Sequence, residues 1–272
     1  MSLLGVLSVK GAPGVTTLSC LLAATWPGTG PVVVVEADPA GGDLAARFRL
    51  SSTLGRTSLA AAVRRGGAST PVGPHLQHLP GGLDVLVSGG PGDPDDAELG
   101  VIGAVDLAWT DGLAVIDLGR VAADDRPEWL ARCHASVLVV NGDPAAALHA
   151  RAHAARLQDV TAGRLGIVVV GPGSHDSAEV GGFAGIRPLG DIPFDAEAAA
   201  VASGASSAGR RLERSALLAA VRRVAGQLEA TGAQAEPGLP AGSADGGDVR
   251  RRTGPAMPDD PTDPVRPQVG VR

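Results

Sequence analysis

Eight residues near the start of the chain have the types and the spacing of a phosphate-binding loop. The loop reads Lys10-Gly11-Ala12-Pro13-Gly14-Val15-Thr16-Thr17 and lies between an apolar run and a segment with a helical pattern. A glycine-rich turn in this position directs backbone N–H groups and the positive end of the helix dipole at an anion. The ordinary form of the loop, G-x-x-x-x-G-K-[ST], has a lysine directly after its second glycine, where this chain has Val15. The only lysine of the chain is Lys10, at the front of the loop.

Acidic residues follow two further apolar runs and are candidates to hold a metal ion near the loop. Glu36 and Asp38 follow the run 32–35, and Asp117 follows the run 113–116. Ligands of doubly wound sheets lie beyond the carboxyl ends of the strands, so these acids are expected at the same edge as the loop. Thr16, Asp38 and Asp117 are the candidate ligands of Mg²⁺, directly or through water. Asp38 is also a candidate to position an attacking water, and each acid taken alone also fits a turn or helix-capping role.

Apolar runs alternate with helical segments over most of the chain. The runs are continuous, which is typical of parallel strands that are covered by helices on both faces. The sequence therefore predicts an α/β fold with a doubly wound, mostly parallel sheet. The predicted strands are 3–9, 32–35, 83–87, 113–116, 137–140 and 165–170, and the predicted helices are 16–26, 95–107, 144–160 and 211–230.

The composition limits the classes of partner. Aromatic residues make up 2% of the 272 residues, which disfavours binding of single-stranded nucleic acid by base stacking. The net charge of −6 gives no support for nucleic acid binding by the whole molecule, although a local arginine-rich face keeps DNA open as a partner. Cys20 and Cys133 lie in apolar stretches and are predicted to be buried thiols. Without a membrane-spanning run or a signal peptide, we expect a cytoplasmic protein.

The composition changes abruptly near residue 232. Beyond it, Pro, Gly and Asp dominate, and so few apolar residues remain that the segment cannot bury enough surface to fold. The sequence predicts a folded domain over 1–232 and a disordered tail over 233–272. On the predicted helix 144–160, His149 and His153 share a face and could bind a metal, but two solvated histidines are the simpler interpretation.

The motifs and their order resemble the ParA/MinD family of P-loop ATPases. The loop resembles the family's K-G-G-x-G-K-[ST], with Lys10 matching the signature lysine that reaches the partner's phosphates in a nucleotide-sandwich dimer. The segment 35–39 resembles switch I, in which Asp38 matches the acid implicated in hydrolysis, and 115–119 is similar to the Walker B strand. Gly190-Asp191-Ile192-Pro193-Phe194-Asp195 resembles the G-x-I-P-x-D segment near the adenine pocket.

The resemblance implies a fold, a ligand and a kind of assembly. It implies ATP and Mg²⁺ as cofactors, Lys10 and Asp38 as catalytic residues, and Thr16, Asp38 and Asp117 as metal ligands. It also implies a nucleotide-dependent homodimer, with a protein partner from a partitioning, septum, pilus or secretion system. Within the family the greatest likeness is to the CpaE/TadZ branch, whose G-D-L-A segment is matched at 42–45. The implied nucleotide-binding residues are Lys10, Gly11, Ala12, Pro13, Gly14, Val15, Thr16, Thr17 and Pro193.

The sequence departs from the family's pattern at three places. Val15 removes a positive charge that supplies a large part of phosphoryl-transfer catalysis. Glu36 stands where the family usually has Asp, and Gly171-Pro172 stands where an Asn usually reads adenine. We therefore expect weak binding of ATP and slow or absent hydrolysis. The alternative is a pseudo-ATPase scaffold or localisation protein of the CpaE/TadZ kind, without a nucleotide cycle.

Overall fold

A computed structural model describes residues 3–11, 14–88, 98–108, 112–122, 128–202, 204 and 213–234. The strands in these residues are β1 (Leu3–Ser8), β2 (Val32–Glu36), β3 (Gln77–His78), β4 (Asp84–Leu86), β5 (Leu113–Arg120), β6 (Ala135–Asn141), β7 (Leu165–Val170) and β8 (Arg187–Ile192). The helices are α1 (Val15–Ala24), α2 (Leu44–Phe48), α3 (Arg56–Gly66), α4 (Glu98–Ala108), α5 (Glu128–Arg132), α6 (Pro144–Val160), α7 (Ser177–Ala184), α8 (Ala196–Ala202) and α9 (Ala216–Gln234).

All the strands in the described residues belong to one sheet, in the order β3-β4-β2-β5-β1-β6-β7-β8. Every pairing is parallel except that of β3 with β4, where the short edge strand runs antiparallel. Strand β1, which leads into the glycine loop, lies between β5 and β6 near the middle of the sheet. The predicted doubly wound, mostly parallel sheet is confirmed.

Helices cover both faces of the sheet and bury an aliphatic core on each. On one face, Leu3, Leu7 and Ile116 pack with apolar residues of α3, α4, α6 and α7. On the other face, Leu4 and Val6 pack with residues of α1 and α9. Alternate residues of β1 therefore belong to opposite core layers, which explains why its sequence is continuously apolar.

Most of the predicted elements are present, with shifted bounds. The predicted helix 144–160 has the same bounds in the structure, because Asp143 caps its first turn at the N–H of Ala146 and Pro144 stands at the first helical position. The start of the predicted helix 95–107 lies outside the described residues. The predicted helix 211–230 is shifted: α9 begins at Ala216, where the Ser215 hydroxyl accepts the N–H of Leu218, and it continues to Gln234. Residues 235–272, nearly all of the predicted tail, also lie outside the described residues. Both cysteines are buried free thiols, as predicted.

The sequence patterns did not reveal β3, β8, α2, α3, α5, α7 or α8. Strand β8 was missed because Pro188 and Gly190 interrupt its apolar pattern, which they can do at the sheet edge, where the register shifts. The short helices α2 and α5 have too few residues to show a period. Among the described residues, none of the helices combines the length and the apolar character needed to cross a membrane.

The carboxylate of Glu36 holds together the segment that follows β2. It is 1% exposed and accepts hydrogen bonds from the backbone N–H groups of Asp43 (2.8 Å), Leu44 (2.8 Å) and Ser88 (3.0 Å). These bonds join the end of β2 to the start of α2 and to the residues after β4. A Cβ atom at Gly42 would collide with this carboxylate, so the turn requires glycine there. Glu36 is therefore a structural acceptor.

Replacing Glu36 with Ala should lower the free energy of unfolding by about 3 kcal/mol, because it leaves three largely buried backbone donors without an acceptor. Chemical denaturation followed by circular dichroism measures this change. Glu213→Ala, at an exposed position, is the matched control and should change the stability by less than about 0.5 kcal/mol. A loss for Glu36→Ala no larger than that of the control would contradict the structural role of Glu36.

Candidate functional site

The loop after β1 leaves its backbone donors open to the surface. Gly11 and Gly14 adopt positive φ angles of 47° and 101°, which favour glycine, and nothing lies within 4 Å of the position of a Cβ atom at either residue. Gly14 is the N-cap of α1 and has no side chain that could cap the first turn. The first N–H groups of α1 are therefore available for an anion. Ala12 and Pro13 lie outside the described residues.

The side chain of Val15 belongs to the hydrophobic core. It is 5% exposed and lies in the cluster that also contains Leu4, Val6 and Leu18. Val15 is one of the predicted nucleotide-binding residues, and it can offer an anion only its backbone N–H group. The position therefore anchors the start of α1 to the sheet and adds no charge to the loop.

Asp117 connects the loop to the central strand β5. Its carboxyl group is 2% exposed and accepts hydrogen bonds from the Thr16 side chain and from the backbone N–H of Gly119 (3.1 Å). Burial raises the pKa of Asp117 to about 6, although the bonds from Thr16 and Gly119 favour the charged form. The structure thus brings together two of the predicted metal ligands, Thr16 and Asp117.

Asp38 lies over the turn that follows Asp117. A Cβ atom at Gly119 would collide with the Asp38 carboxylate, which also accepts hydrogen bonds from the backbone N–H groups of Ala40 (2.8 Å) and Arg120. Burial raises the pKa of Asp38, and its bond from Ala40 opposes this shift. The charge of Asp38 in turn raises the pKa of Asp117, so the two carboxyl groups interact electrostatically.

The oxygens of Thr16, Asp38 and Asp117 suit a metal ion that is coordinated mainly by a bound phosphate and by water. Mg²⁺ in phosphate sites uses one or two protein oxygens, completes its octahedral shell with phosphates and waters, and is rarely enclosed by side chains alone. Thr16, Asp38 and Asp117 offer hydroxyl and carboxylate oxygens of the right kind. In the part of the chain that the structure describes, no group of three or more His, Cys, Asp or Glu residues could hold a metal by itself.

Lys10 contacts a residue far along the chain. Its Nζ lies 2.9 Å from Nε2 of His149 on α6, and the contact is exposed. The ammonium group can only donate, so Nε2 of His149 is the acceptor in this contact.

A cavity of about 450 Å³ lies on the other side of the loop, between α1 and the ends of β6, β7 and β8. Gly14 and Thr17 line it, so the cavity and the loop are continuous. Most of its other walls are aliphatic, and Phe194, which is 72% exposed, stands at its rim. Pro193, predicted to bind the nucleotide, also lines this cavity. Its size and apolar walls suit the base of a nucleotide.

Asn141, which no sequence motif indicated, lines the same cavity at the end of β6. It is the only asparagine of the chain. The other polar side chains of the lining are Thr17 and Asp195, and the carboxylate of Asp195 accepts the N–H of Ala198 at the start of α8. Among the lining residues, Asn141 has the side-chain amide, which presents a separate donor and acceptor to a base. Its place at the end of a buried strand was a usable signal, since ligands bind at this edge.

No protein-family profile matches the chain, and no curated protein matches its sequence. Solved structures match its fold. A ParA family ATPase from Chlorobium tepidum TLS gives a TM-score of 0.66 at 17% identity, over 82% of this chain and 97% of that one. A chain of the MinC:MinD cell division protein complex from Aquifex aeolicus gives 0.66 at 14% identity, over 85% and 96%. MinD complexed with Mg-ADP from Pyrococcus horikoshii OT3 gives 0.59 at 15% identity, over 87% and 99%. The chain therefore has the ParA/MinD P-loop ATPase fold.

The raised pKa of Asp117 predicts a specific pH dependence of stability in the metal-free protein. The folded state keeps this proton up to about pH 6, whereas an unfolded chain loses it near pH 4. The stabilisation by the protonated form is thus complete below about pH 4 and is lost as the pH rises through 6, in total about 3 kcal/mol. Asp117→Asn should remove this part of the slope.

Urea denaturation between pH 4 and pH 7 with a chelator present measures the slope. Asp159→Asn, at an exposed position on α6, is the matched control and should keep the wild-type profile. Parallel profiles for wild type and Asp117→Asn would contradict the assignment.

Proposed function

We propose that this chain is a nucleotide-binding protein of the ParA/MinD type that binds ATP with Mg²⁺ and hydrolyses it slowly. One observation carries the proposal: the open glycine loop is continuous with an apolar cavity on one side and with the Thr16–Asp117 pair on the other. A nucleotide has an apolar base at one end and a chelating triphosphate at the other, which matches this arrangement.

Each part of the site has a role in this proposal. The N–H groups of Gly14, Val15 and Thr16 bind phosphate oxygens at the positive end of α1. Thr16 and Asp117 hold the Mg²⁺, which neutralises charge on the terminal phosphates when bound. Asp38, half-buried beside them, orients a water. The walls of the cavity exclude solvent around the base.

The same proposal includes association of two copies around the nucleotide. Lys10 lies at the front of the loop and is exposed, so its ammonium group is accessible to the phosphates of a second subunit. Solved structures of this fold include a complex between MinD and MinC, and we infer by analogy that a protein partner binds this chain. The cargo would be DNA or a cell-envelope machine.

The second candidate function is a scaffold of the same fold that recruits partners without a nucleotide cycle, as in the CpaE/TadZ branch. Two observations favour it. The buried side chain of Val15 gives the loop no charge in cis, and Lys10 is held by His149 of its own chain. Both candidates predict a stable fold, and they differ in whether ATP binds.

Isothermal titration of the wild-type protein with Mg-ATP tests the proposal, and Lys10→Ala tests the role of the lysine. We expect the wild type to bind, and Lys10→Ala to lose about tenfold in affinity, because an ammonium–phosphate contact is lost. Light scattering with a slowly hydrolysed ATP analogue should detect a dimer of the wild type and no dimer of Lys10→Ala. Arg223→Ala, on the exposed face of α9, is the control and should behave as the wild type.

Absence of heat with wild type would overturn the nucleotide proposal and leave the scaffold. Equal binding and equal dimerisation by wild type and Lys10→Ala would show that Lys10 does not contact the nucleotide. The roles proposed for the other residues would be unaffected.

The cavity predicts a preference for adenine that depends on Asn141. A side-chain amide pairs with the adjacent donor and acceptor on adenine, whereas a carboxylate pairs with the donors of guanine. Asn141→Ala should therefore lower the affinity for ATP by about tenfold. Asn141→Asp should shift the ratio of ATP to GTP affinity toward GTP. Fluorescent ATP and GTP analogues measure both. Gln158→Ala, which removes an amide remote from the cavity, should change neither; a ratio that is unaltered in Asn141→Asp would exclude base readout by Asn141.

A further inference from the structure

Val15 gives the start of α1 no positive charge in cis, and the end of β5 offers one. Arg120 is the last residue of β5, and it pairs with Ser8, the last residue of β1, across the sheet. The N–H of Val121 donates to the Ser8 carbonyl oxygen at 2.9 Å, which fixes the turn after β5 beside the start of the glycine loop. Since Ser8 precedes Lys10 by two residues, Arg120 lies on the neighbouring strand, level with a position just before Lys10.

The backbone of Arg120 is held, while its side chain is exposed. Its N–H group donates to the Asp38 carboxylate, and Gly119, with a φ of 54°, lies just before it where the register between β1 and β5 shifts. Burial raises the pKa of Asp38, and the positive charge of Arg120 partly offsets this shift. The guanidinium is therefore close enough to act on the carboxylate at the centre of the site.

The other basic side chains around this edge are engaged elsewhere. Lys10 contacts His149 at 2.9 Å, Arg47 pairs with Asp43 at 2.7 Å, and Arg56 donates to the Glu36 carbonyl oxygen at 3.1 Å. For the guanidinium of Arg120, the described residues provide no hydrogen bond or ion pair. It can therefore turn toward an anion without breaking a contact among them.

The order of the strands says which part of a nucleotide would lie nearest to Arg120. The base cavity is at the ends of β6, β7 and β8, and the glycine loop is at β1. β5 lies on the opposite side of β1, three strand spacings from β7, or about 14 Å. A nucleotide with its base in the cavity and its first phosphates on the loop therefore points its terminal phosphate toward the end of β5.

We propose that Arg120 binds the terminal phosphate of ATP in cis and supplies the charge that is missing at Val15. A planar guanidinium can make two parallel hydrogen bonds to phosphate oxygens, and it keeps its charge beside acidic groups. This inference rests on the proposed binding of ATP and adds the residue that distinguishes ATP from ADP.

The test compares ATP with ADP in the full-length protein. Arg120→Gln should lower the affinity for Mg-ATP by about tenfold or more, because one charged hydrogen-bonding partner is lost. The affinity for Mg-ADP should change by less than about twofold. Arg120→Lys should recover part of the preference for ATP, since it keeps the charge but loses the two-pronged geometry. Arg223→Gln is the matched control for loss of a surface arginine, and thermal unfolding confirms that each variant is folded.

The outcomes separate this inference from the proposed function. If wild type binds neither nucleotide, the proposed function fails and the inference fails with it. If wild type binds ATP and Arg120→Gln binds it equally well, only the role of Arg120 is wrong. Equal weakening of ATP and ADP in Arg120→Gln would also contradict a contact to the terminal phosphate, whereas a loss confined to ATP supports it.

Discussion

The candidate site is organised around the hydrogen bond that the Thr16 side chain donates to the buried carboxyl group of Asp117. This bond joins the start of α1 to strand β5 beside the glycine loop. The same carboxyl group is 2% exposed and has its pKa raised to about 6. In the proposed site, Mg²⁺ would favour the charged carboxylate, so its binding would be coupled to loss of this proton. The residue that joins α1 to β5 would therefore also respond to the cation.

The surroundings of Asp117 explain why the chain tolerates several acids at one edge. Glu36 accepts hydrogen bonds from three backbone N–H groups, and Asp38 accepts them from the N–H groups of Ala40 and Arg120. Hydrogen bonds from nearby backbone N–H groups thus stabilise each carboxylate, and the same bonds shape the turn around it. Because Glu36 serves as a structural acceptor, it does not need to take part in chemistry. This explains how Glu36 can stand where the family usually has Asp.

Much of the fold could be predicted from the sequence, because continuous apolar runs and helix caps are local signals. Helix α6 has the predicted bounds, 144–160. Other features depend on contacts between distant segments. Lys10 and His149 are 139 residues apart, and the neighbourhood of Arg120 and Ser8 follows from the register between β5 and β1. The loop and its acids were recognisable because both motifs follow strands, whereas the cavity beside Asn141 requires three strand ends to be placed together.

The burial of Val15 changes what the loop can do. A lysine at this position would need its ammonium group at the phosphates, but the Val15 side chain is packed against Leu4, Val6 and Leu18. In the proposed site, the charges that face a nucleotide come from the start of α1, from Arg120 on the neighbouring strand and from Lys10 of a second copy. In that proposal, backbone dipoles and a lysine in trans stabilise the bound nucleotide and the dimer. Such a loop would favour binding and association over turnover, because only interactions that are stronger in the transition state than in the ground state accelerate hydrolysis.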